Sequence, residues 1–376
     1  MQYKEYELGE LLPFEQPTAY IVKSTDYNDS YSTPVLTAGK SFILGKTNET
    51  DGIFDQLPVI IFDDFTTATQ FVNFKFKVKS SAMKILHINT DLVIPKYIFY
   101  RLQTIQFDHS THKRYWIQAY SKIRISIPAL EEQQRIVVRI DELFSELDKA
   151  VDTLKTTKEQ LEVYRQAVLK EIFDSVSTTS VHIKDVCLDI KVGIVIKPTQ
   201  YYVSENGVPA FRNANVRRGY INDTDWVMIS KEGHQQNCRS EVHTNDVLIS
   251  RSGANLGMAS VVPARYNGYN AIDVVIAVPD ISKVIPEFLA QYTNSPMGRA
   301  IVKKNERGAA QGHLNVSAYA NLPIGVPDLQ EQEKLVKQIS DRLSVCDSIE
   351  KTVDTALAQT DAMRQSILKQ AFEGTM

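Results

Sequence analysis

Residues 127–175, IPALEEQQRIVVRIDELFSELDKAVDTLKTTKEQLEVYRQAVLKEIFDS, return at 326–374 as VPDLQEQEKLVKQISDRLSVCDSIEKTVDTALAQTDAMRQSILKQAFEG. The offset is 199 residues throughout, without a gap. Pro128, Leu130 and Gln133 match Pro327, Leu329 and Gln332. Arg165, Gln166, Leu169, Lys170 and Phe173 match Arg364, Gln365, Leu368, Lys369 and Phe372. A repeat this long and in phase means that one unit has been made twice.

Both copies read as long helices. In the first, Ile136, Ile140, Leu143, Leu147, Ala150, Leu154, Thr157, Leu161, Tyr164, Val168 and Ile172 step by four and three, a heptad seam. In the second, Leu335, Ile339, Cys346, Ile349, Val353, Ala356, Met363, Ile367 and Ala371 take the matching positions, and Arg342 replaces Leu143 as a flaw in the seam. About 40 helical residues at roughly 1.5 Å each make a rod on the order of 60 Å long. One narrow apolar stripe on such a rod calls for a partner helix, and the second copy supplies it.

Working outward, residues 1–130 alternate short apolar runs with turn signals. VIIF (59–62), FKFKV (74–78) and KIRISIP (122–128) read as strands, and Pro95–Leu102 as a helix led by proline. SVSTTS (175–180) is a polar break, after which 181–327 reads as a second α+β unit. DVLISRSG (246–253) and AIDVVIAVP (271–279) read as strands there. Pro286–Tyr292 parallels Pro95–Arg101, AYANLPIGVP (318–327) parallels AYSKIRISIP (119–128), and VHIKDV resembles KEYELGEL near the N-terminus. The ends of the two globular units correspond and their middles do not, which suggests two related sites of different specificity. The expected fold is α+β, with two similar domains and two long coiled-coil helices in an internal repeat. The boundaries are 1–130, 131–174, 175–328 and 329–376.

The net charge of −3 at first argues against a nucleic-acid partner, but its distribution does not. Residues 131–172 hold 7 Lys+Arg against 10 Asp+Glu, and 328–376 hold 6 against 9. Residues 1–130 hold 14 against 13, and 173–327 hold 15 against 13. The acidic excess sits in the repeated stretches, and the globular segments are mildly basic, a balance that permits DNA binding. Cys187, Cys238 and Cys346 lack disulfide or metal spacing, Met1 leads into QYKEYELGELL without the basic and apolar pattern of a signal peptide, and no apolar run is long enough to span a bilayer. A cytoplasmic protein is expected.

Catalytic patterns are weak. Neither a phosphate-cradling G-x-x-x-x-G-K-[ST] nor a G-x-G-x-x-G occurs. Asn321-Leu-Pro-Ile faintly suggests an amino-methyltransferase motif but falls in an expected strand. Asp63 and Asp64 with Lys75 and Lys77 invite a nuclease reading without a second carboxylate at a matched spacing. His109 and His112 near Asp108 lack a third metal ligand. No catalytic or metal site is expected.

The repeat architecture resembles the specificity (S) subunit of type I restriction-modification enzymes. The resemblance covers the whole chain. It is carried by P-x-L-x-E-Q at 128–133 and 327–332, by the heptad helices ending in R-Q-x-x-L-K-x-x-F, and by LISRSG (248–253). It implies that each globular unit is a target-recognition domain for half of a split DNA site, and that the two long coiled-coil helices run antiparallel and separate the two domains as a spacer, with pseudo-two-fold symmetry. It also implies a non-catalytic chain, one copy per complex, docking two methyltransferase subunits and two restriction-translocase subunits, with no membrane. S-adenosylmethionine, ATP and Mg²⁺ would then belong to the partners, and this chain would carry no cofactor. The first unit departs from the pattern: VIIFDD (59–64) stands where the second has VLISRS (247–252), so its Arg-Ser-Gly turn is missing. The other reading is a coiled-coil adaptor with two protein-binding domains and no DNA role.

Base reading in the major groove needs Arg or Lys for guanine and Asn or Gln for adenine, and phosphates need cations and small hydroxyls. In the first unit the candidates are Thr66, Thr67, Gln70, Lys113, Arg114, Tyr115 and Gln118. In the second they are Arg212, Asn213, Asn215, Arg217, Arg218, Gln235, Gln236, Arg251, Ser252, Lys303, Arg307 and Gln311. Trp116 and Trp226 read as packing anchors.

Overall fold

The computed structural model describes residues 3–37, 41–105, 114–176, 178–305 and 313–373, with the backbone alone at 301–305. The chain divides into two compact units. Unit 1 comprises 1–154 and 355–376, and unit 2 comprises 155–354. Each unit therefore takes about half of each long helical stretch.

Unit 1 opens with β1 (Lys4–Glu7), α1 (Leu8–Leu11), β2 (Phe14–Glu15), β3 (Thr33–Leu36) and β4 (Ile43–Thr47). It continues through β5 (Val59–Asp63), β6 (Thr69–Val72), β7 (Lys77–Val78), β8 (Met83–His87), α2 (Pro95–Leu102), α3 (Tyr115–Gln118) and β9 (Arg124–Ile127). Helix α4 (Leu130–Asp174) is shared by both units. Unit 2 holds β10 (Ser180–His182), β11 (Cys187–Val192), β12 (Tyr202–Val203), β13 (Val208–Phe211), β14 (Val227–Ile229) and α5 (Lys231–Gln236). Then come β15 (Val247–Ser250), β16 (Ala259–Val261), β17 (Asn270–Ala271), β18 (Val274–Pro279), α6 (Pro286–Asn294), α7 (Pro296–Asn305), α8 (Val316–Ala320) and β19 (Pro323–Gly325). Helices α9 (Leu329–Ala358) and α10 (Thr360–Glu373) follow.

The two units share a sheet plan. Unit 1 has one sheet in the order β2-β8-β5-β6 and a second in the order β4-β3-β7. Unit 2 has β11-β18-β15-β16 and β12-β14-β13-β17. Strand β3 pairs in parallel with β7, and β13 with β17. A ribbon of β1 with β9, or β10 with β19, closes each unit at its chain ends. The middles thus correspond after all. Sequence comparison missed this because the offset drifts.

Equivalent contacts measure the drift. Leu8 N bonds Ile123 O at 2.9 Å, as Ile183 N bonds Leu322 O at 3.0 Å; the donors lie 175 apart and the acceptors 199. The short turns Pro17–Tyr20 (PTAY) and Pro198–Tyr201 (PTQY) are 181 apart. Tyr115 N bonds Asp64 O at 3.0 Å and Leu314 N bonds Arg251 O at 2.9 Å, so the acceptors lie 187 apart and the donors 199. Unit 2 has more residues than unit 1 between successive equivalent points, which destroys any fixed period.

Two strand expectations change. AIDVVIAVP is not one strand: Asn270–Ala271 joins the second sheet, Val274–Pro279 joins the first, and Asp273 at φ 52° turns the chain between them. FKFKV contributes only Lys77–Val78.

The central strands are buried on both faces. Ile60 and Phe62 of β5 pack with Leu86, Ile98, Trp116 and Val137, while Val59 and Ile61 pack with Phe54, Phe76 and Ile85 on the other side. In unit 2, Val247 and Ile249 pack with Phe288, Leu169 and Leu335, and Leu248 packs with Phe211 and Ile276. Continuous burial is why these strands read as unbroken apolar runs.

The repeated glutamines tie the long helices to these cores. Gln133 is fully buried; its Oε1 accepts Ile94 N at 2.8 Å, and its Nε2 donates to Leu92 O at 3.1 Å and Pro128 O at 2.9 Å. Gln332, also fully buried, accepts Ile285 N at 2.8 Å and donates to Lys283 O at 2.9 Å and Pro327 O at 2.8 Å. Each amide thus fixes the start of a long helix against the N-terminus of the proline-led helix α2 or α6.

Within each unit the two helical segments run antiparallel. In unit 1, Ile140 packs with Leu368 and Ala371, and Asp148 pairs with Arg364. In unit 2, Lys158 pairs with Asp354 at 2.7 Å, Arg165 with Asp347 at 2.6 Å, and Glu171 with Arg342 at 3.0 Å. Of the expected seam, Ile140, Leu147, Val168, Leu335, Ile339 and Val353 are buried, and Ile136, Leu154, Leu161 and Ile367 are half-buried. Ala150, Tyr164, Ile349 and Met363 are exposed instead. The second stretch breaks at Gln359, whose N–H is shared between Thr355 O and Ala356 O at 3.2 Å each. Past the break the expected Ala371 is buried, Leu368 is buried beside the half-buried Ile367, and Met363 faces outward.

Replacing Gln133 with leucine strands a buried N–H and two carbonyls, which costs about 2–4 kcal/mol. Hydrogen exchange should then show protection lost at 92–102 in Gln133→Leu and at 283–294 in Gln332→Leu. Equal loss in both units from either substitution would refute these two local pins.

Candidate nucleic-acid interface

Several of the candidate residues lie at the ends of the equivalent strands β5 and β15. After β5, Asp63 closes a turn. Its Oδ1 accepts Phe65 N at 2.9 Å and its Oδ2 accepts the Thr66 hydroxyl at 2.7 Å, leaving Thr66 and Phe65 at the surface. Thr67 follows at φ 58°, and Gln70 lies exposed on β6. Asp64 turns inward, where its Oδ1 accepts Trp116 N at 2.9 Å and its Oδ2 pairs with Lys84 at 3.3 Å. Both side chains are buried, at 3% and 1% exposure. Through this link the segment that carries Arg114 and Gln118, both exposed, is fastened to the end of β5.

At the end of β15 Arg251 takes the place of Asp64, but its partner comes from a different position: Asp273 lies just before β18, whereas Lys84 lies within β8, where β18 has Val275. Arg251 pairs through Nη1 with Asp273 Oδ1 at 2.9 Å, and its Nε donates to Leu314 O at 3.2 Å. Asn213 braces the turn: its Oδ1 accepts Arg251 N at 2.7 Å and the Ser250 hydroxyl at 3.0 Å, and its Nδ2 donates to the Ser252 hydroxyl at 2.8 Å. Asn255 donates to Asn213 O at 3.0 Å. The missing Arg-Ser-Gly turn of unit 1 is therefore replaced by an acidic strand end and a lysine on β8.

Several candidates turn out to be framework. Asn215 is fully buried, with its amide bonded to Arg212 N, Asn222 O and Thr224 O, and Asn213 has its amide committed as above. Tyr115 is also buried and has no free face for a duplex. Arg218 is drawn onto Glu162 of α4, and Arg212 donates to Asp225 O. Arg217 is half-buried and bonds Val216 O. Burial, with Arg218 beside it, holds the neighbouring Arg299 below its usual pKa. Tyr120, matched by Tyr319 in unit 2, is a core residue whose hydroxyl burial pushes up to about 12. Gln235 and Gln236 are exposed on α5, and Ser252 is half-buried. Lys113, Arg307, Gln311, Asp108, His109 and His112 lie outside the described residues, as does the side chain of Lys303. Sequence reasoning missed Asp273 and Lys84, because each acquires its partner only through strand register.

The residues of the weighed nuclease reading do not come together. Lys75 pairs with Asp55 at 3.8 Å and Lys77 with Glu49 at 3.0 Å, away from Asp63 and Asp64, which have the partners above. Asn321-Leu-Pro-Ile leads into β19. Among the described residues no group of three His, Cys, Asp or Glu is arranged to hold a metal, and no helix is long and apolar enough to cross a membrane.

A chain with two equivalent sheet units, each offering polar groups at the same strand end, meets a family model built for that plan. The type I restriction modification DNA specificity domain matches residues 2–163 and again 169–359. The chain belongs to this family. Among curated members it is 45% identical to the EcoR124I/EcoR124II specificity subunit of Escherichia coli over 174 residues, 43% of each chain. It is 27% identical to the EcoBI specificity subunit of Escherichia coli over 276 residues, 67% of this chain and 58% of that one. The chain thus spans about half the length of these relatives. Two solved structures share the fold of the family. The HsdS subunit from Thermoanaerobacter tengcongensis has 18% identity, a TM-score of 0.51 and coverage of 100% and 97%. A chain from a study of type I R-M complex assembly and conformational transition has 19% identity, a TM-score of 0.68 and coverage of 98% and 97%.

Lys84→Met leaves the Asp64 carboxylate buried without its cation and should cost about 3–5 kcal/mol in a denaturant titration. Arg251→Met, at a partly exposed pair, should cost less than half as much. Equal costs would mean that the two strand ends do not differ in burial as described.

Proposed function

We propose that this chain is the DNA-recognition subunit of a type I restriction-modification complex, with one unit for each half of a bipartite site. The observation that carries the reading is the doubled sheet plan, whose equivalent strand ends carry different polar sets. Thr66, Gln70, Arg114 and Gln118 serve unit 1, and Arg251, Ser252, Gln235 and Gln236 serve unit 2. Coupling two weak readers in one chain makes the second contact effectively intramolecular. At roughly 1–3 kcal/mol per correct base pair, several pairs suffice for selectivity.

The chain itself supplies no chemistry in this reading. Two methyltransferase subunits dock beside the helices and bring S-adenosylmethionine. Two restriction-translocase subunits bring ATP and Mg²⁺, and the complex works in the cytoplasm. Family membership favours this over a protein-binding adaptor, for which no observation speaks. Helix α4 belongs to both units, so its length is the natural ruler for the gap between half-sites.

Mapping methylated adenines in the host genome, with and without the gene, should reveal one bipartite motif of fixed gap that vanishes on deletion. A genome whose methylation is unchanged would refute the reading. Removing one heptad from α4 and the matching heptad from the second helical stretch shortens the rod by on the order of 10 Å, and should alter the permitted gap by about two or three base pairs. An unchanged gap would refute the ruler.

A further inference from the structure

We propose that Arg251, held by Asp273, reads a guanine in the half-site of unit 2, and that Asp273 is its positioning residue. The inference rests on the DNA-recognition reading above and deepens it by naming a base and two residues.

Asp273 occupies a left-handed backbone conformation, φ 52°, between a strand of one sheet and a strand of the other. Glycine would serve the turn at no steric cost. A carboxylate there adds something else: it meets Arg251 at 2.9 Å from across the sheet, where Ser250 is already paired with Val274. Leu314 O holds the Nε side at 3.2 Å, so two contacts fix the guanidinium plane. Nη2 makes no hydrogen bond among the described residues, and the side chain keeps 19% of its surface exposed. A guanidinium already fixed in its plane loses little freedom on binding.

The carboxylate also decides which part of DNA suits this arginine. A phosphate would meet Asp273 as a like charge, and the pair has no net charge to offer it. A guanine edge is neutral and presents O6 and N7, the acceptors that arginine reads in the major groove. Unit 1 has no such device, because Asp64 stands where unit 2 has Arg251 and its pair with Lys84 is buried. Guanine reading at the strand end is therefore a property of unit 2 alone.

The test is selection from a randomised bipartite duplex pool by the full chain assembled with its methyltransferase subunits, comparing wild type with Arg251→Ala, Arg251→Lys and Asp273→Asn. Both arginine variants should lose preference for G·C at a single position of one half-site by about 5- to 150-fold. Asp273→Asn should lose part of the same preference at the same position. The other half-site and the slope of log affinity against log salt should not change, since no phosphate contact is removed. Arg251→Lys keeps the charge beside Asp273, so it serves if another variant fails to fold. A lysine variant that retains full discrimination overturns the inference, as does a uniform loss at every position with a shallower salt slope. A wild-type complex with no bipartite preference would instead overturn the DNA-recognition reading itself.

Discussion

A buried primary amide sets the geometry of each unit. Gln133 and Gln332 each satisfy one N–H and two carbonyls where a long helix begins, a proline-led helix begins and the closing strand ends. Polar backbone at such a junction cannot be left dry without cost, and glutamine carries both an acceptor and two donors on a stem long enough to reach. With that amide in place the long helix leaves the sheet core at a fixed point. The core strands, the closing ribbon and the helix pair of each unit then share one frame.

From this frame the strand ends β5 and β15 occupy equivalent places, and they have diverged in charge rather than in position. Asp64 and Arg251 hold the same place with opposite charge, and each is paired with the neighbouring strand from a different position, Lys84 within β8 and Asp273 just before β18. One pair is buried and structural, and the other stays partly open. A conserved backbone site with exchangeable side-chain chemistry is a simple route to two readers of different specificity on one fold.

The helix pairing carries the same logic of copying and departure. Arg165 pairs with Asp347 and Arg364 with Asp148, and these pairs exchange under the 199-residue offset, as in a self-complementary interface. Arg342 departs from it. It grips Glu171 through both terminal nitrogens at 3.0 Å, with its guanidinium carbon 5.9 Å from the Tyr164 ring, whereas the corresponding residues of the other copy are Leu143, Gln370 and Met363. What looked like a flaw in an apolar seam is an ion pair on its flank.

The sequence by itself determined the duplication, the two long heptad helices, the proline-led helices and the buried strands, because each is written as a local period or a fixed offset. It also carried the family, through P-x-L-x-E-Q, R-Q-x-x-L-K-x-x-F and LISRSG. Only the tertiary structure decided that the middles of the units correspond, since unequal loops erase a constant offset while strand order survives. It alone moved Asn213, Asn215 and Tyr115 from the surface into the framework, and brought Asp273 to Arg251. Composition marks a residue as able to bind a base. Whether its polar atoms are already taken depends on strand register and, for Asn213 and Arg251, on partners 22 to 63 residues away, and no local pattern records those.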